Sequence, residues 1–177
     1  MNSANSVERR QAALLLAAAL SALPAAAVEP VAGRKAVSAT ERNRELGRRY
    51  FEEVWNQGKV AALDELLAPE YVNHTPSTPN PPPGPVGLKP IVLGMRTAFP
   101  DLHYTIEDVV ATDDAVVMRV RMTGTHRGDL FGLAPTGKAV SVEQINIEHI
   151  RDGRIVEHWR ITDELALMKQ LGVVKNP

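Results

Sequence analysis

Apolar residues recur at helical spacing from Thr40 onward. Leu46, Tyr50, Phe51, Val54 and Trp55 follow Thr40 and Glu41 and give way to Asn56-Gln57-Gly58, which predicts an amphipathic helix behind a capping threonine. The period repeats over Val60 to Leu67 through Leu63 and Leu66 and stops before Pro69, predicting a second, shorter helix that forms a hairpin with the first. Glu70 to Asn73 reads as a short extended segment, and Leu88, Ile91, Val92, Met95 and Phe99 predict a third helix over 87–99. The texture then changes to alternation and β-branched residues. Strands are predicted over 102–111, 115–125, 138–150 and 154–161, joined by Thr112-Asp113-Asp114, a long Gly/Pro-containing connection and a tight Asp152-Gly153 turn. A short helix over 163–171 ends at Gly172. Strands linked by hairpins are antiparallel, so the class is α+β, and strands near ten residues long favour a strongly curved sheet around the helices, with room for a pocket.

The front of the chain has a different pattern. Arg9-Arg10 precede an uncharged run from Ala12 to Val28 that is almost wholly Ala and Leu, in which the apolar stretch Ala12 to Leu20 is followed by Pro24 and Ala25-Ala26-Ala27. This is the layout of a cleavable signal peptide over 1–27, with cleavage near Ala27 and export to the periplasm or medium. The paired arginines point weakly to the twin-arginine route. The apolar run is shorter than the roughly 20 residues that span a bilayer, which disfavours a stable membrane anchor. Residues 28–39 lack any period and read as a flexible lead-in, leaving a folded domain over 40–174. Seven of the 13 prolines fall between Thr75 and Pro90, a stiff polyproline-like connection that serves either as a lid or as a plain surface loop.

Composition narrows the chemistry. The 177 residues carry 20 Lys and Arg against 21 Asp and Glu, a balance that argues against nucleic acid as a partner. With no cysteine, disulfides, thiolate metal sites and a cysteine nucleophile are excluded. The five histidines are scattered without metal-ligand spacing, and no nucleophile elbow, P-loop or dinucleotide fingerprint occurs. No zinc site is therefore expected.

Six segments, RYFEEVWNQG (49–58), LLAPEYVNHTP (66–76), AFPDLHYTIED (98–108), MTGTHRGDLFGLAPTGK (122–138), IRDGRIVEHW (150–159) and DELALMKQLGV (163–173), together resemble the SnoaL-like polyketide cyclases, or ester cyclases, of the NTF2-like superfamily. The resemblance covers about Asn43 to Val174. It implies a conical α+β barrel in which helices and a curved sheet enclose an apolar cavity, and ring closure by intramolecular aldol condensation without metal or organic cofactor. It also implies dimerisation through the open sheet face. NTF2-like cones host many chemistries, so the fold alone does not name the reaction.

The family pattern places its acid/base carboxylate on Asp163. One carboxyl can take a proton from carbon flanked by carbonyls and return it to the alkoxide formed on ring closure. Counting by twos, Ile155, Glu157, Trp159, Ile161 and Asp163 share a strand face, although by spacing alone Asp163 is the N-cap of the last helix. His149 is expected to face the pocket with Ile145 and Ile147 and to bind substrate or steer Asp163. If Gln144, Asn146 and Glu148 point inward instead, Asn146 and Glu148 take its place, since a one-residue register change swaps the faces. Asn73 and His74 could bind a carbonyl or simply shape a turn, and Trp159, Tyr71, Trp55 and Phe99 are pocket wall or core. His126 in GTHRG reads as structural, and His103 and His158 as outward or packed. Three uses of such a site follow: cyclase-type acid/base chemistry, non-catalytic binding of a small hydrophobic ligand in the periplasm, or epoxide-type hydrolysis. Export sits awkwardly with polyketide assembly in the cytoplasm and moves weight to the last two.

Overall fold

The computed structural model describes residues 37–175. The leader expected over 1–27 and most of the lead-in lie outside these residues. Ser38 begins the first helix, α1 (Ala39–Arg49): its hydroxyl accepts from the Glu41 amide at 3.1 Å. The cap thus falls two residues ahead of Thr40, whose hydroxyl donates instead to Asp113 at 2.8 Å. At Tyr50 the helix widens into a π-helical segment (Tyr50–Asn56). The wider turn rotates Tyr50, Phe51, Val54 and Trp55 together into the core, each at most 5% exposed. The second predicted helix is a 3₁₀ turn (Val60–Ala62) plus one α-turn, α2 (Leu63–Leu66), and Leu67 already opens strand β1 (Leu67–Asn73). Helix α3 (Pro85–Ala98) carries Pro85 in its first turn, a position that needs no amide hydrogen.

Strands β2 (His103–Ala111), β3 (Ala115–Thr125), β4 (Ala139–Arg151) and β5 (Arg154–Thr162) run antiparallel in sequence. The β4–β5 turn places Asp152 and Gly153 at φ 52° and 73°, the paired left-handed geometry that suits a two-residue hairpin. The sheet has five strands in the order β1-β5-β4-β3-β2, and β1 pairs with β5 in parallel. The segment expected to be merely extended therefore completes the sheet edge, and the sheet is mixed. Register breaks in β2, between Ile106 and Asp108, and in β5, beside Val156, sharpen the curvature.

The concave face of β3 is wholly apolar: Val116, Met118, Val120 and Met122 are at most 1% exposed. Helix α1 settles on it through Gly47, where a Cβ would lie 2.8 Å from the Met118 Sδ. Helix α4 (Glu164–Leu171) closes one end, with Gln170 hydrogen-bonded to both the amide and the carbonyl of Ser141 and Gly172 ending it at φ 80°. Among the described residues no helix is long and apolar enough to cross a membrane.

Candidate functional site

Burial alternates strictly along β4, and the inward residues are Val140, Val142, Gln144, Asn146, Glu148 and Ile150. The expectation that Ile145, Ile147 and His149 face the pocket is corrected: they lie on the outer face, where Ile145 is 47% exposed. The inner face here is the polar one, so apolar alternation points the wrong way. On β5 the extra residue Val156 shifts the parity. Ile155 points in, yet Glu157, Trp159 and Ile161 turn outward, while His158, Arg160 and Thr162 line the inside. Cross-strand pairing then builds three polar rungs on an otherwise apolar concave surface: Glu148 with His158, Asn146 with Arg160, and Gln144 with Thr162.

The innermost rung is a buried acid/base pair. Nδ1 of His158 lies 2.8 Å from Oε1 of Glu148, and the two side chains are 5% and 0% exposed. Burial pushes the Glu148 carboxyl above its ordinary value, and the charge and hydrogen bond of His158 offset part of that rise. Oε2 of Glu148 has no hydrogen-bond partner, nor do Asn146 Nδ2 and Thr162 Oγ1 on the neighbouring rungs. Across the core, the Tyr71 hydroxyl and Trp55 Nε1 are likewise unpartnered. Burial drives the Tyr50 and Tyr71 phenols far above the ordinary range, and the charge of Glu148 adds to both shifts. Tyr104 is pushed up to about 12 by burial, with Arg160 pulling the other way. An unsatisfied buried polar atom costs roughly 1–3 kcal/mol, and three of the six such atoms among the described residues, on Glu148, Asn146 and Thr162, fall on this wall.

A cavity of about 540 Å³ opens on the two outer rungs, bordered by Gln144, Thr162 and Arg160 but not by Glu148 or His158. Gln144, Thr162 and Arg160 form its sheet wall, Met95, Met122 and Leu167 supply apolar surface, and Phe131 stands exposed at the side. The proline-rich connection forms another wall: the Thr75 hydroxyl accepts from the Arg160 amide at 2.7 Å and the Ser77 hydroxyl accepts from its guanidinium at 2.9 Å. A second cavity of about 340 Å³ lies between that connection, β1 and α3.

The remaining sequence candidates separate into groups. Asp163 is exposed, accepts from the Ala166 amide at 2.9 Å as the N-cap of α4, and does not border the larger cavity although Thr162 and Glu164 do. His74, His149 and Trp159 do come together, but on the outer face: the His74 ring stacks on Trp159 at 4.3 Å, and His149 meets its edge at 4.8 Å. Glu157 lies 3.1 Å from His149 and 3.8 Å from His74. Asn73 borders the smaller cavity and accepts from the Thr75 amide, which is ordinary turn chemistry. Trp55, Tyr71 and Phe99 are core residues, of which Tyr71 also borders the smaller cavity. His126 is buried beside Phe99 and bonded to Thr136, a structural placement. His158 and Arg160, which the sequence did not single out for the site, are the ones the structure brings to it. Their signal was the EHWR segment beside a possible bulge, where period-two counting fails.

The SnoaL-like polyketide cyclase family model matches residues 45–171. An aklanonic acid methyl ester cyclase from Streptomyces galilaeus is 31% identical over 126 residues, which cover 70% of this chain and 87% of that protein. A nogalonic acid methyl ester cyclase from Streptomyces nogalater is 28% identical over 120 residues, 67% of this chain and 89% of that one. Among solved structures, TsrD from Streptomyces laurentii superposes with a TM-score of 0.69 at 29% identity, covering 75% of this chain and 96% of that one. A SnoaL-like protein from a Jannaschia species does so with 0.70 at 26%, covering 82% and 100%.

Proposed function

The chain belongs to the SnoaL-like polyketide cyclase family, and from that premise we propose that it carries out cofactor-independent acid/base chemistry on an apolar, oxygenated small molecule, with Glu148 and His158 as the proton-transfer pair. An aldol-type cyclisation, or a related lyase or isomerase step, is the reaction class. The single observation that carries this reading is the buried 2.8 Å contact between Glu148 and His158, with the second Glu148 oxygen unpartnered inside an apolar cone. In the cyclisation, Glu148 takes a proton from a carbon between two carbonyls. The resulting carbanion attacks a second carbonyl carbon of the same molecule, and the alkoxide so formed recovers the proton from Glu148. No atom is gained or lost, and one carboxyl with a raised pKa suits both transfers. His158 holds the carboxyl in place and shares its proton, which keeps the pair close to neutral in a low-dielectric interior.

The relatives' names point to polyketide methyl esters as the substrate type. A second reading, a binding module for a small hydrophobic ligand, is favoured by one observation: Glu148 is sealed behind the rungs and does not itself border the cavity. Turnover of aromatic β-keto esters and of epoxides separates the two. The wild-type protein should convert at least one β-keto ester, Glu148→Gln should lose that activity, and Asp163→Asn should keep it. Saturable binding without turnover of either substrate class would favour the module. Export with removal of residues 1–27 belongs to the same proposal, supported by Arg9-Arg10, the Ala/Leu run and Ala25-Ala26-Ala27. So does self-association, supported by Ile145, Ile147, Trp159 and Ile161 on the outer sheet face.

A further inference from the structure

Arg160 has no carboxylate partner, and unlike Arg96, another half-buried arginine without one, whose guanidinium donates to the Trp55 and Asn56 carbonyls, it stands in the wall of a cavity. Arg49, Lys89, Arg119 and Arg121 each lie within 4.0 Å of a carboxylate. Among the described residues no carboxylate comes that close to Arg160, although it is half-buried in the wall of the 540 Å³ cavity. Its guanidinium donates to the neutral Ser77 hydroxyl at 2.9 Å, and its backbone amide is fixed by Thr75, so the side chain is held in place without being neutralised. Glu164 borders the same cavity, but it is exposed and lies beyond salt-bridge distance. The neighbouring polar groups repeat the demand for an acceptor. Thr162 Oγ1, on the same wall, and Asn146 Nδ2, on the rung shared with Arg160, are buried donors with no partner. A half-buried cation beside an unpartnered donor is costly unless an anion joins them.

We propose that the ligand of this cavity is a monocarboxylic acid with an apolar ring body, its carboxylate held by Arg160 with Thr162 as an additional donor. A single planar guanidinium matches a carboxylate in shape and charge. No other Lys or Arg borders the cavity, so a dianion such as a phosphate monoester would be left half-compensated. The apolar surface of Met95, Met122, Leu130, Leu133, Leu167 and Met168 takes the ring body. The proposal rests on the cavity being the substrate site and departs from the methyl esters of the relatives' names by choosing the free acid.

The test is calorimetric titration of the purified chain at pH 7 with 2-naphthoate and, separately, with methyl 2-naphthoate. The acid should bind about ten- to a hundredfold tighter than the ester, the range expected for one charge-assisted contact. In Arg160→Met the preference should vanish while ester affinity stays within about threefold, and Arg160→Lys should retain part of it. The wild-type ratio decides without any variant, so a misfolded Arg160→Met leaves the test intact. An ester that binds as tightly as the acid, or a preference that survives Arg160→Met, overturns the proposal while leaving the acid/base reading standing. Failure of both probes to bind overturns the cavity reading and this proposal with it.

Discussion

Glu148→Gln exposes the energetics of the interior pair most cleanly. Gln keeps the size of the side chain and an oxygen for His158, and removes only the ability to ionise. Burial raises the Glu148 carboxyl above its ordinary value of 4.5 in the folded chain. Below that value Glu148 is protonated both folded and unfolded, and it contributes nothing to pH dependence. As pH rises through 4.5 the unfolded chain ionises first and the folded chain holds the extra proton, so wild-type stability falls until the folded carboxyl also titrates. Gln escapes this loss. The stability of Glu148→Gln relative to wild type should therefore grow from about pH 4.5 upward, by about 1.4 kcal/mol for each pH unit between the two titration points. With a urea m-value near 2 kcal/mol/M, that is roughly 0.7 M in relative midpoint per pH unit. Urea unfolding followed by fluorescence of the buried Trp55, from pH 4 to 8, reads it directly. A difference that stays flat or shrinks as pH rises would mean that the interior stabilises the Glu148 anion, and the argument from desolvation would fail.

Asp163→Ala should cost about 1 kcal/mol, a few degrees in melting temperature, through loss of the α4 cap, with 2-naphthoate binding unchanged. Gly128→Ala should destabilise by about 1–3 kcal/mol in the same melt, because the new methyl would collide with the Thr97 carbonyl rather than with a movable side chain. Glu143→Ala, which removes the carboxylate that Arg119 and Arg121 share while leaving them Asp108 and Glu107, should cost less than about 1 kcal/mol, with the loss fading above 0.5 M salt on the scale of about 0.1 M ionic screening. Ile147→Lys should shift the sedimentation coefficient to that of a monomer if the outer face joins two copies.

Much of the fold was legible. Alternation located β3 to the residue and the other hairpin strands to within one, and Asp152-Gly153 and Gly172 carried their turns because left-handed backbone has few occupants. What escaped was non-local. Parallel pairing of β1 with β5 joins segments more than 80 residues apart, and nothing within Leu67–Asn73 announces it. The site was legible only as an alternative. Gln144, Asn146 and Glu148 violate the rule that the apolar face turns inward, and the exposed Ile145 and Ile147 mimic a core face. The Val156 bulge then moved Trp159 out and His158 and Arg160 in, a one-residue parity change that period-two counting cannot detect.

The most direct test of the central claim is solvent deuterium exchange, followed by NMR, into the carbon between the two carbonyls of ethyl benzoylacetate. Wild-type protein should accelerate the exchange, Asp163→Asn should match it, and Glu148→Gln should lose at least about a hundredfold of the acceleration, the usual range for a positioned acid or base. Undiminished exchange by Glu148→Gln, or its loss in Asp163→Asn, would place the base on the rim of the cone and contradict the account.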